Sequence, residues 1–200
     1  MTKCKICGLR RPEDVAAVNA VLPDYAGFVF AASKRQISPD TAAALKKNLD
    51  TRVQAVGVFV NQDIDFIETL VTEKIIDLVQ LHGDEGEAFI EDVKARCGCP
   101  VIRAVGIGES MPPLLADADY LLFDTLSVQR GGTGLAFDWR ILEGFRERPY
   151  FLAGGLDADN VAEAIAQLSP FCVDVSSGVE TDGVKDAEKI KRFVDKTRRA

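Results

Sequence analysis

The sequence predicts an α/β fold in which eight parallel strands close into a barrel. Short apolar segments recur eight times along the 200 residues. Most of the segments between them are amphipathic and begin with residues that favour a helix start. Eight such β/α units are the number in a TIM barrel, which typically has about 250 residues. We therefore expect a compact (β/α)8 TIM barrel that occupies residues 1–200 as a single catalytic domain.

The predicted strands are nearly continuous apolar runs, as is typical of parallel strands that are covered on both faces. In chain order they span residues 3–7, 25–30, 54–59, 78–81, 101–105, 120–124, 151–153 and 172–175. A doubly wound open sheet is the alternative fold. The number of units and the lack of a Gly-rich loop after the first strand favour the barrel.

The predicted helices begin at proline and acidic residues, which favour the first turn of a helix. These starts lie at residues 12–14, 38–40 and 84–85, and residues 157–160 precede a further helix. The shortest connection is the segment 106–119, between the fifth and sixth strands, and it contains two adjacent prolines. It has room for only a shortened helix 5.

The composition disfavours several classes of partner and location. The net charge is −7 and the chain has no basic run, so neither nucleic acid nor an anionic membrane surface is an expected partner. No stretch approaches the roughly 18 to 20 apolar residues of a membrane-spanning helix. The N-terminus lacks the pattern of a signal peptide. We therefore expect a cytoplasmic protein.

The five cysteines do not indicate a disulfide framework, because their number is odd and no secretory signal precedes them. Cys4 and Cys7 form a C-x-x-C pattern, but they lie inside a predicted strand and not at a helix N-terminus, which disfavours redox chemistry. Cys97 and Cys99 are too close together for a typical zinc site, and His82 is the sole histidine.

Unusual polar residues follow the predicted strands at their C-terminal ends, where barrels of this kind build their active sites. They are Cys7, Ser33, Arg35, Asn61, His82, Arg103, Asp124, Gly154, Gly155, Asp174, Ser176, Ser177 and Gly178. The N-terminal ends carry no such cluster. The sequence therefore predicts that one end of the barrel is the functional end.

Cys7 and Asp124 end the first and sixth predicted strands and are candidates for acid/base chemistry. A thiolate is a competent base, and a carboxyl group with a raised pKa is a competent acid. Alternatively, Cys7 is a packed barrel residue and Asp124 caps a turn before Thr125. Lys5 shares the inward parity of Cys7, where it either favours the thiolate or pairs with an internal carboxylate.

Glycine and serine residues after strands seven and eight predict a phosphate site. Backbone N–H groups at these positions commonly bind phosphate in barrels, and Gly154-Gly155 and Ser177-Gly178 let the backbone approach the oxygens. Residues 130–134, RGGTG, lack the Lys-Ser/Thr of a P-loop and are interpreted as a mobile lid. The residues alone thus indicate a small barrel enzyme acting on a phosphorylated small molecule.

Two further residues stay ambiguous from the sequence alone. Arg35 is either a solvated loop charge or a carboxylate clamp, and its loop position favours the solvated interpretation. His82 is equally consistent with a structural role and with a ligand contact.

The chain resembles the phosphoribosylanthranilate isomerases of tryptophan biosynthesis over nearly its whole length. The motifs that carry the resemblance are KICGL, SKRQIS, VGVFVN, VQLHGDE, LLFDT, GGTGLAFDW, LAGGL and DVSSGVE. The resemblance implies a (β/α)8 barrel that performs an Amadori rearrangement without a metal or organic cofactor. It implies Asp124 as general acid and Cys7 as general base, with Arg35 binding the anthranilate carboxylate.

The resemblance also assigns the binding residues. Gly154, Gly155, Ser177 and Gly178 would hold the phosphate, while His82, Asp174 and Ser176 would line the pocket. The chain departs from the family where Arg10 replaces a small residue and Lys34 replaces a proline, which adds positive charge near an anionic ligand. The expected partner is a phosphorylated small molecule, and the expected assembly is a monomer or a homodimer.

Three other functions stay as alternatives. Indole-glycerol-phosphate synthase chemistry would need a Lys and a Glu at several strand ends, and apart from Lys5 none is present. A bifunctional isomerase of the histidine pathway would characteristically use two aspartates, one of them in place of Cys7. A non-catalytic phospholigand-binding barrel would not need to keep both Cys7 and Asp124.

Overall fold

The computed structural model describes residues 1–114, 118–125 and 137–200. Eight parallel strands form a closed barrel in sequence order, β1 through β8, so the α/β barrel prediction is confirmed. The strands are β1 (Lys3–Cys7), β2 (Tyr25–Val29), β3 (Gln54–Phe59), β4 (Leu78–Leu81), β5 (Val101–Ile107), β6 (Tyr120–Thr125), β7 (Tyr150–Leu152) and β8 (Cys172–Val175). A short antiparallel hairpin follows, formed by β9 (Glu180–Thr181) and β10 (Val184–Lys185).

Helices connect most of the strands on the outside of the barrel. The described α-helices are α1 (Pro12–Val21), α2 (Pro39–Asn48), α3 (Ile64–Thr72), α4 (Glu87–Cys97), α5 (Val161–Leu168) and α6 (Ala187–Arg199). Their starts have clear local causes: the Ser38 hydroxyl accepts from the Thr41 N–H, and Asp186 accepts from the first turn of α6. Within the described ranges, no helix has the length and apolar character needed to cross a membrane.

The predicted helix starts are confirmed for α1 and α2, and the predicted start of α4 is wrong by two residues. α1 and α2 begin at the predicted prolines. α4 begins at Glu87, beyond the predicted 84–85, because the Glu85 side chain instead accepts hydrogen bonds from the N–H groups of Asn61 and Gly83. The described residues of the segment 106–119 contain no helix. The remainder of the predicted shortened helix 5, and the predicted lid at 130–134, lie outside the described residues.

The interior of the barrel contains an apolar core, which we call the apolar plug. It is a cluster of buried residues, most of them in the first half of their strands: Tyr25, Val56, Leu78, Ile102, Ala104, Leu122, Phe151, Ala153 and Cys172. The rings of Tyr25 and Phe151 lie 5.4 Å apart, centroid to centroid. Burial of this apolar surface stabilises the closed barrel.

Two residues beyond the plug in β4 and β8, and in the middle of β1, the interior is polar. The inward-facing side chains there are Lys5, Gln80 and Asp174, which we call the polar layer. The register of the sheet places Lys5 opposite Asp174 across the β1–β8 pair. Cys7, His82 and Asp124 follow at the C-terminal mouth of the barrel, directly above this layer.

Candidate active site

Cys7 is the last residue of β1 and is almost completely buried, with 9% of its surface exposed. Its side chain packs with Val29 and Val58. Gly27 on the adjacent strand provides the space for the thiol, because a Cβ at that position would lie only 2.7 Å from the Cys7 Sγ. The thiol therefore sits in an apolar niche that the sequence of β2 leaves open.

The charge state of Cys7 depends on two opposing influences. Burial raises the pKa of the Cys7 thiol above its ordinary value, and the neighbouring Lys5 ammonium acts in the opposite direction without cancelling this effect. Cys7 is thus a packed barrel residue that also has a cation beside it, and its role as a base stays a prediction.

Lys5 lies at the centre of the polar layer, and its exposed fraction is 0%. The Lys5 Nζ donates to Gln80 Oε1 at 2.8 Å and to Asp174 Oδ2 at 2.7 Å. Although burial opposes the charge, the Asp174 carboxylate raises the pKa of Lys5 above its ordinary value. Lys5 thus meets both expectations, since it pairs with an internal carboxylate and also favours the Cys7 thiolate.

Asp124 lies in β6 on the opposite part of the rim. Its Oδ1 accepts a hydrogen bond from the Thr125 N–H at 2.8 Å, as the turn-capping interpretation predicted. Burial nevertheless raises the pKa of the Asp124 carboxyl group to about 6. The group therefore combines the local cap with the raised pKa that a general acid needs.

His82 connects the polar layer to Asp124. Its Nδ1 lies 3.1 Å from Gln80 Nε2, and its Nε2 lies 3.5 Å from Asp124 Oδ2. The sequence analysis singled out His82 but missed Gln80. The available signal was its inward parity, because Gln80 is a polar residue two positions before His82 in an otherwise apolar strand.

Asp174 offers an acceptor to a bound molecule. Its Oδ2 is engaged by Lys5, whereas its Oδ1 is buried and accepts no hydrogen bond from any described residue. Buried polar atoms in native structures are almost always paired. An unpaired carboxylate oxygen at the base of a barrel mouth therefore indicates a place for a ligand N–H or O–H group.

Arg35 does not behave as a solvated loop charge, so that interpretation is wrong. It is 8% exposed, and its Nε and Nη2 donate to the two carboxylate oxygens of Glu180 at 2.7 and 2.9 Å. Glu180 also accepts from Lys185 Nζ at 2.9 Å. Although burial opposes ionisation, the hydrogen bonds from Arg35 and Lys185 lower the pKa of Glu180 to about 2. Sequence reasoning missed both Glu180 and Lys185.

The Arg35 side chain crosses directly over Gly8, the residue after Cys7. A Cβ at Gly8 would lie 2.6 Å from Arg35 Cδ, and Gly8 has a φ of +85°, which favours glycine. The Arg35 Nη1 donates no hydrogen bond to any described residue. This geometry leaves one edge of the guanidinium available beside the thiol.

Arg10 ties two parts of the rim together. Its Nη1 donates to the Lys34 carbonyl at 2.8 Å and its Nη2 donates to the Gly183 carbonyl at 2.7 Å. Lys34 precedes Arg35, and Gly183 lies in the turn of the β9–β10 hairpin. The guanidinium thus connects the loop that carries Arg35 to the hairpin that carries Glu180.

The loops after β7 and β8 pack closely against each other. A Cβ at Gly178 would lie 2.0 Å from the Leu156 carbonyl oxygen, so no other residue fits there without movement of the backbone. The Asn160 Nδ2 donates to the Gly155 carbonyl and fixes the first loop. The backbone N–H groups of Gly155 and Ser177 donate no hydrogen bond to any described residue, which leaves them available to an anion.

Two of the predicted polar residues have structural roles. The Ser176 hydroxyl donates to the Cys7 carbonyl at 3.1 Å, which ties β8 to β1 beside the thiol. Arg103 was grouped with the functional end, but it alternates with the inward Ile102 and Ala104, and its Nη1 bonds to Glu85 and to the carbonyls of β4 and its loop. Arg103 therefore supports the loop after His82. Nowhere in the described ranges do three His, Cys, Asp or Glu side chains form a group that could hold a metal ion.

The chain is similar to known proteins over nearly its whole length. A family model described as N-(5′-phosphoribosyl)anthranilate (PRA) isomerase matches residues 4–196. An N-(5′-phosphoribosyl)anthranilate isomerase of Endomicrobium trichonymphae is 54% identical over 191 residues, which are 95% of each chain.

Solved structures with the same fold give the same result. A crystal structure of phosphoribosyl anthranilate isomerase from Thermus thermophilus has a TM-score of 0.88, with 34% identity and 99% of each chain covered. A second isomerase structure holds reduced 1-(o-carboxyphenylamino)-1-deoxyribulose 5-phosphate. Its TM-score is 0.84, with 33% identity and 100% of each chain covered.

Proposed function

The chain belongs to the phosphoribosylanthranilate isomerase family, and from that premise we propose that Cys7 is its general base and Asp124 its general acid. The family membership makes the protein an aldose–ketose isomerase of tryptophan biosynthesis. Its reaction converts N-(5-phosphoribosyl)anthranilate into 1-(2-carboxyphenylamino)-1-deoxyribulose 5-phosphate. The roles of individual residues in this reaction are the content of the proposal.

The observation that carries the proposal is the difference in environment between the two groups at one barrel mouth. Burial raises the pKa of Asp124 to about 6, so that the group is still partly protonated near neutral pH. Cys7 lies above a buried ammonium, Lys5, that favours the thiolate. Two titratable groups with different environments at one site are typical of an acid/base pair.

In the first step, Asp124 donates its proton to the ring oxygen of the furanose. The bond between that oxygen and C1 breaks, and the anilino nitrogen supplies its electron pair to form a cationic Schiff base. Asp124 is left as a carboxylate, with the Thr125 N–H donating to its Oδ1. A charge-assisted hydrogen bond of this kind stabilises the ionised product of the proton transfer.

In the second step, Cys7 removes the proton from C2 of the opened sugar. The electron pair of the C–H bond forms the C1–C2 double bond, and the iminium nitrogen becomes neutral. Burial disfavours the Cys7 thiolate in the free enzyme, but an adjacent cation favours it. The positive Schiff base produced by the first step supplies that cation, so the order of the steps fits the environment of the thiol. The resulting enolamine then tautomerises to the ketone.

The remaining groups bind the substrate. The free edge of Arg35 binds the anthranilate carboxylate, and Gly154, Gly155, Ser177 and Gly178 bind the phosphate through backbone N–H groups and the Ser177 hydroxyl. The unpaired Oδ1 of Asp174 accepts from a sugar hydroxyl. His82 and Ser176 complete the pocket wall.

The chain as a whole, residues 1–200, acts as one catalytic domain in this proposal. It works in the cytoplasm as a monomer or a homodimer, and its partner is the phosphorylated substrate. The net charge of −7 supports the absence of nucleic acid and of a membrane from the reaction.

The test compares the substitutions Cys7→Ala and Asp124→Asn with the wild type. Phosphoribosylanthranilate is generated in the cuvette, and its conversion is followed through the fluorescence of the aminobenzoate group. We expect each variant to lose about 10²- to 10⁴-fold in kcat, the usual contribution of a positioned acid or base. Substrate deuterated at C2 should slow the wild type if proton removal limits the rate.

Cys172→Ala is the matched control, because Cys172 is also a buried, inward-facing thiol but lies in the apolar plug. It should keep the wild-type kcat. Activity of Cys7→Ala within a factor of two of the wild type would eliminate Cys7 as the base, and the same result for Asp124→Asn would eliminate Asp124 as the acid.

A further inference from the structure

The polar layer and His82 form a hydrogen-bonded chain that fixes the direction of every donor in it. The chain begins at Lys5, passes through Gln80 and His82, and ends at Asp124. Lys5, Gln80 and Asp124 lie in β1, β4 and β6, and His82 directly follows β4, so the chain runs from the polar layer up to the mouth of the barrel. None of the roles proposed above uses Gln80.

The first link determines the orientation of the Gln80 amide. A lysine ammonium has three donors and no acceptor, so the Gln80 atom at 2.8 Å from Lys5 Nζ must be the carbonyl oxygen. The amide is 2% exposed and has no room to exchange its partners with water. The NH2 group of Gln80 therefore points to His82.

The second link determines the tautomer of His82. The Gln80 NH2 group can only donate, so the His82 Nδ1 at 3.1 Å must accept and carries no proton. In a neutral imidazole, the proton then resides on Nε2. This N–H is directed to the side of the ring where Asp124 Oδ2 lies at 3.5 Å, a long contact of the kind that often shortens when substrate is bound.

We propose that Gln80 is a positioning residue for the acid step: anchored by Lys5, it holds His82 as the Nε2–H tautomer, which presents a donor to Asp124. The proposal rests on the role of Asp124 as general acid. When Asp124 transfers its proton, the new carboxylate has the Thr125 N–H at Oδ1 and the His82 N–H beside Oδ2. A donor already in place lowers the barrier to forming that charge, because no group has to reorient during the reaction.

The opposite tautomer would hinder the same step. With the proton on Nδ1, the His82 Nε2 would be an acceptor, and the protonated Asp124 would donate to it instead of to the substrate. A doubly protonated imidazole would instead hold Asp124 as a carboxylate and leave no proton to transfer. Only the Nε2–H tautomer leaves Asp124 free to carry a proton and also stabilises its loss.

The sequence makes the test unusually direct, since His82 is the single histidine among the 200 residues. Protein labelled with ¹⁵N-histidine gives one imidazole in a long-range ¹H–¹⁵N correlation spectrum, which separates protonated from unprotonated ring nitrogens. In the wild type at neutral pH we expect a proton on Nε2 and none on Nδ1. A proton on Nδ1 in the free wild-type enzyme would overturn the proposal. The spectrum of the wild type alone is sufficient for this test, without any variant.

The variant Gln80→Glu replaces the NH2 donor by an acceptor of the same shape. We expect the proton to appear on Nδ1, and kcat to fall by about 10- to 100-fold, below the effect of removing the acid itself, while KM changes little. Gln54→Glu is the matched control, because Gln54 is exposed at the N-terminal end of β3. It should reproduce the wild-type spectrum and kcat.

Two results for a folded Gln80→Glu protein would overturn the proposal: an unprotonated Nδ1, or a protonated Nδ1 with an unchanged kcat. Failure of the underlying function is distinguishable. If Asp124→Asn stayed active, the acid assignment would be lost, while the spectrum of the free enzyme would still report the His82 tautomer.

Discussion

The two halves of the barrel interior differ in composition: one is apolar, and the other contains buried charged and polar side chains. The apolar plug is built mostly from aromatic and branched side chains, and its only polar side-chain atoms are the Tyr25 hydroxyl oxygen and the Cys172 sulfur. Two residues further along β4 and β8, the interior instead buries Gln80 and Asp174, and β1, which contributes no residue to the plug, adds Lys5 beside them. A change of two positions in β4 and in β8 thus replaces a packed apolar core by a polar layer.

The comparison teaches that the two halves contribute differently to stability. Burial of the plug side chains favours folding directly. A buried ion pair such as Lys5–Asp174 gains little or nothing over well-packed apolar residues, because both charges lose their hydration. The polar layer is therefore better explained by its effect on Cys7, His82 and the substrate than by a contribution to folding.

The largest expected effect comes from removing one partner of the polar layer. Lys5→Met leaves the Asp174 carboxylate buried and without its cation, and we expect a loss of about 3–5 kcal/mol in the free energy of unfolding. The double variant Lys5→Met/Asp174→Leu removes both charges. It should recover most of that loss and still be inactive. Urea denaturation measures the stability, and the fluorescence assay measures kcat.

Leu122→Ala in the apolar plug is the control from the other half. It should cost about 2–5 kcal/mol through the cavity that it creates, while the folded protein keeps its kcat. A double variant at Lys5 and Asp174 no more stable than Lys5→Met would contradict the comparison, because the polar layer would then contribute to stability beyond the pairing of its own charges.

The second-largest expected effect concerns the pH dependence of kcat/KM. Only the titratable groups Asp124 and Cys7, above the polar layer, should determine it. Below the Asp124 pKa of about 6, both Asp124 and Cys7 are protonated and the thiolate becomes scarcer with each unit of pH. Between about 6 and the raised pKa of Cys7, Asp124 and Cys7 together hold one proton. The fraction of enzyme that carries this proton on Asp124, with Cys7 as the thiolate, does not change with pH in that range. We expect kcat/KM to fall about tenfold per pH unit below 6 and to be flat above it.

The substrate phosphate also titrates near pH 6, so its contribution must be removed. The inhibition constant of the reduced product, 1-(o-carboxyphenylamino)-1-deoxyribulose 5-phosphate, measured over the same range, reports the phosphate without the chemistry. A corrected profile that falls between pH 7 and 8 would mean that Cys7 ionises more easily than its burial indicates.

The smallest effect is expected at the rim, where Arg10 connects the Arg35 loop to the β9–β10 hairpin. Arg10→Thr removes two hydrogen bonds to backbone carbonyls. We expect KM to rise about two- to tenfold as Arg35 becomes less well held, with kcat unchanged. Arg52→Thr, which removes an exposed arginine paired with Asp50 before β3, is the control. A lower KM in Arg10→Thr would show that the Arg10 charge hinders the anionic substrate.

The fold was predictable because it depends on local patterns. Apolar runs predict the eight strands, and prolines predict the starts of the first two helices. Each of these signals lies within about ten residues of sequence. The start of α4 was misplaced for a physical reason. The Glu85 side chain accepts a hydrogen bond from the Asn61 N–H. Asn61 lies on another strand–helix connection, so a local sequence pattern cannot predict this contact.

The site was predictable only in part for the same reason. Cys7, Asp124 and His82 were singled out because strand ends converge in a barrel. Arg35 looked like a solvated charge, since its partner Glu180 is 145 residues away in the chain. The sequence signal of Gln80 is limited to its inward parity in an apolar strand. Its importance depends on Lys5 and His82, which lie on either side of it in space.

If Arg35 binds the anthranilate carboxylate as proposed, its pairing with Glu180 affects the thermodynamics of that binding. A free arginine side chain has many rotamers, and immobilising such a side chain at an interface costs about 0.5–1.5 kcal/mol of binding free energy. Here two of its nitrogen atoms are already held by a carboxylate, and its stem lies on Gly8. The loss of conformational entropy occurs during folding, so a substrate carboxylate meets a guanidinium that is already oriented.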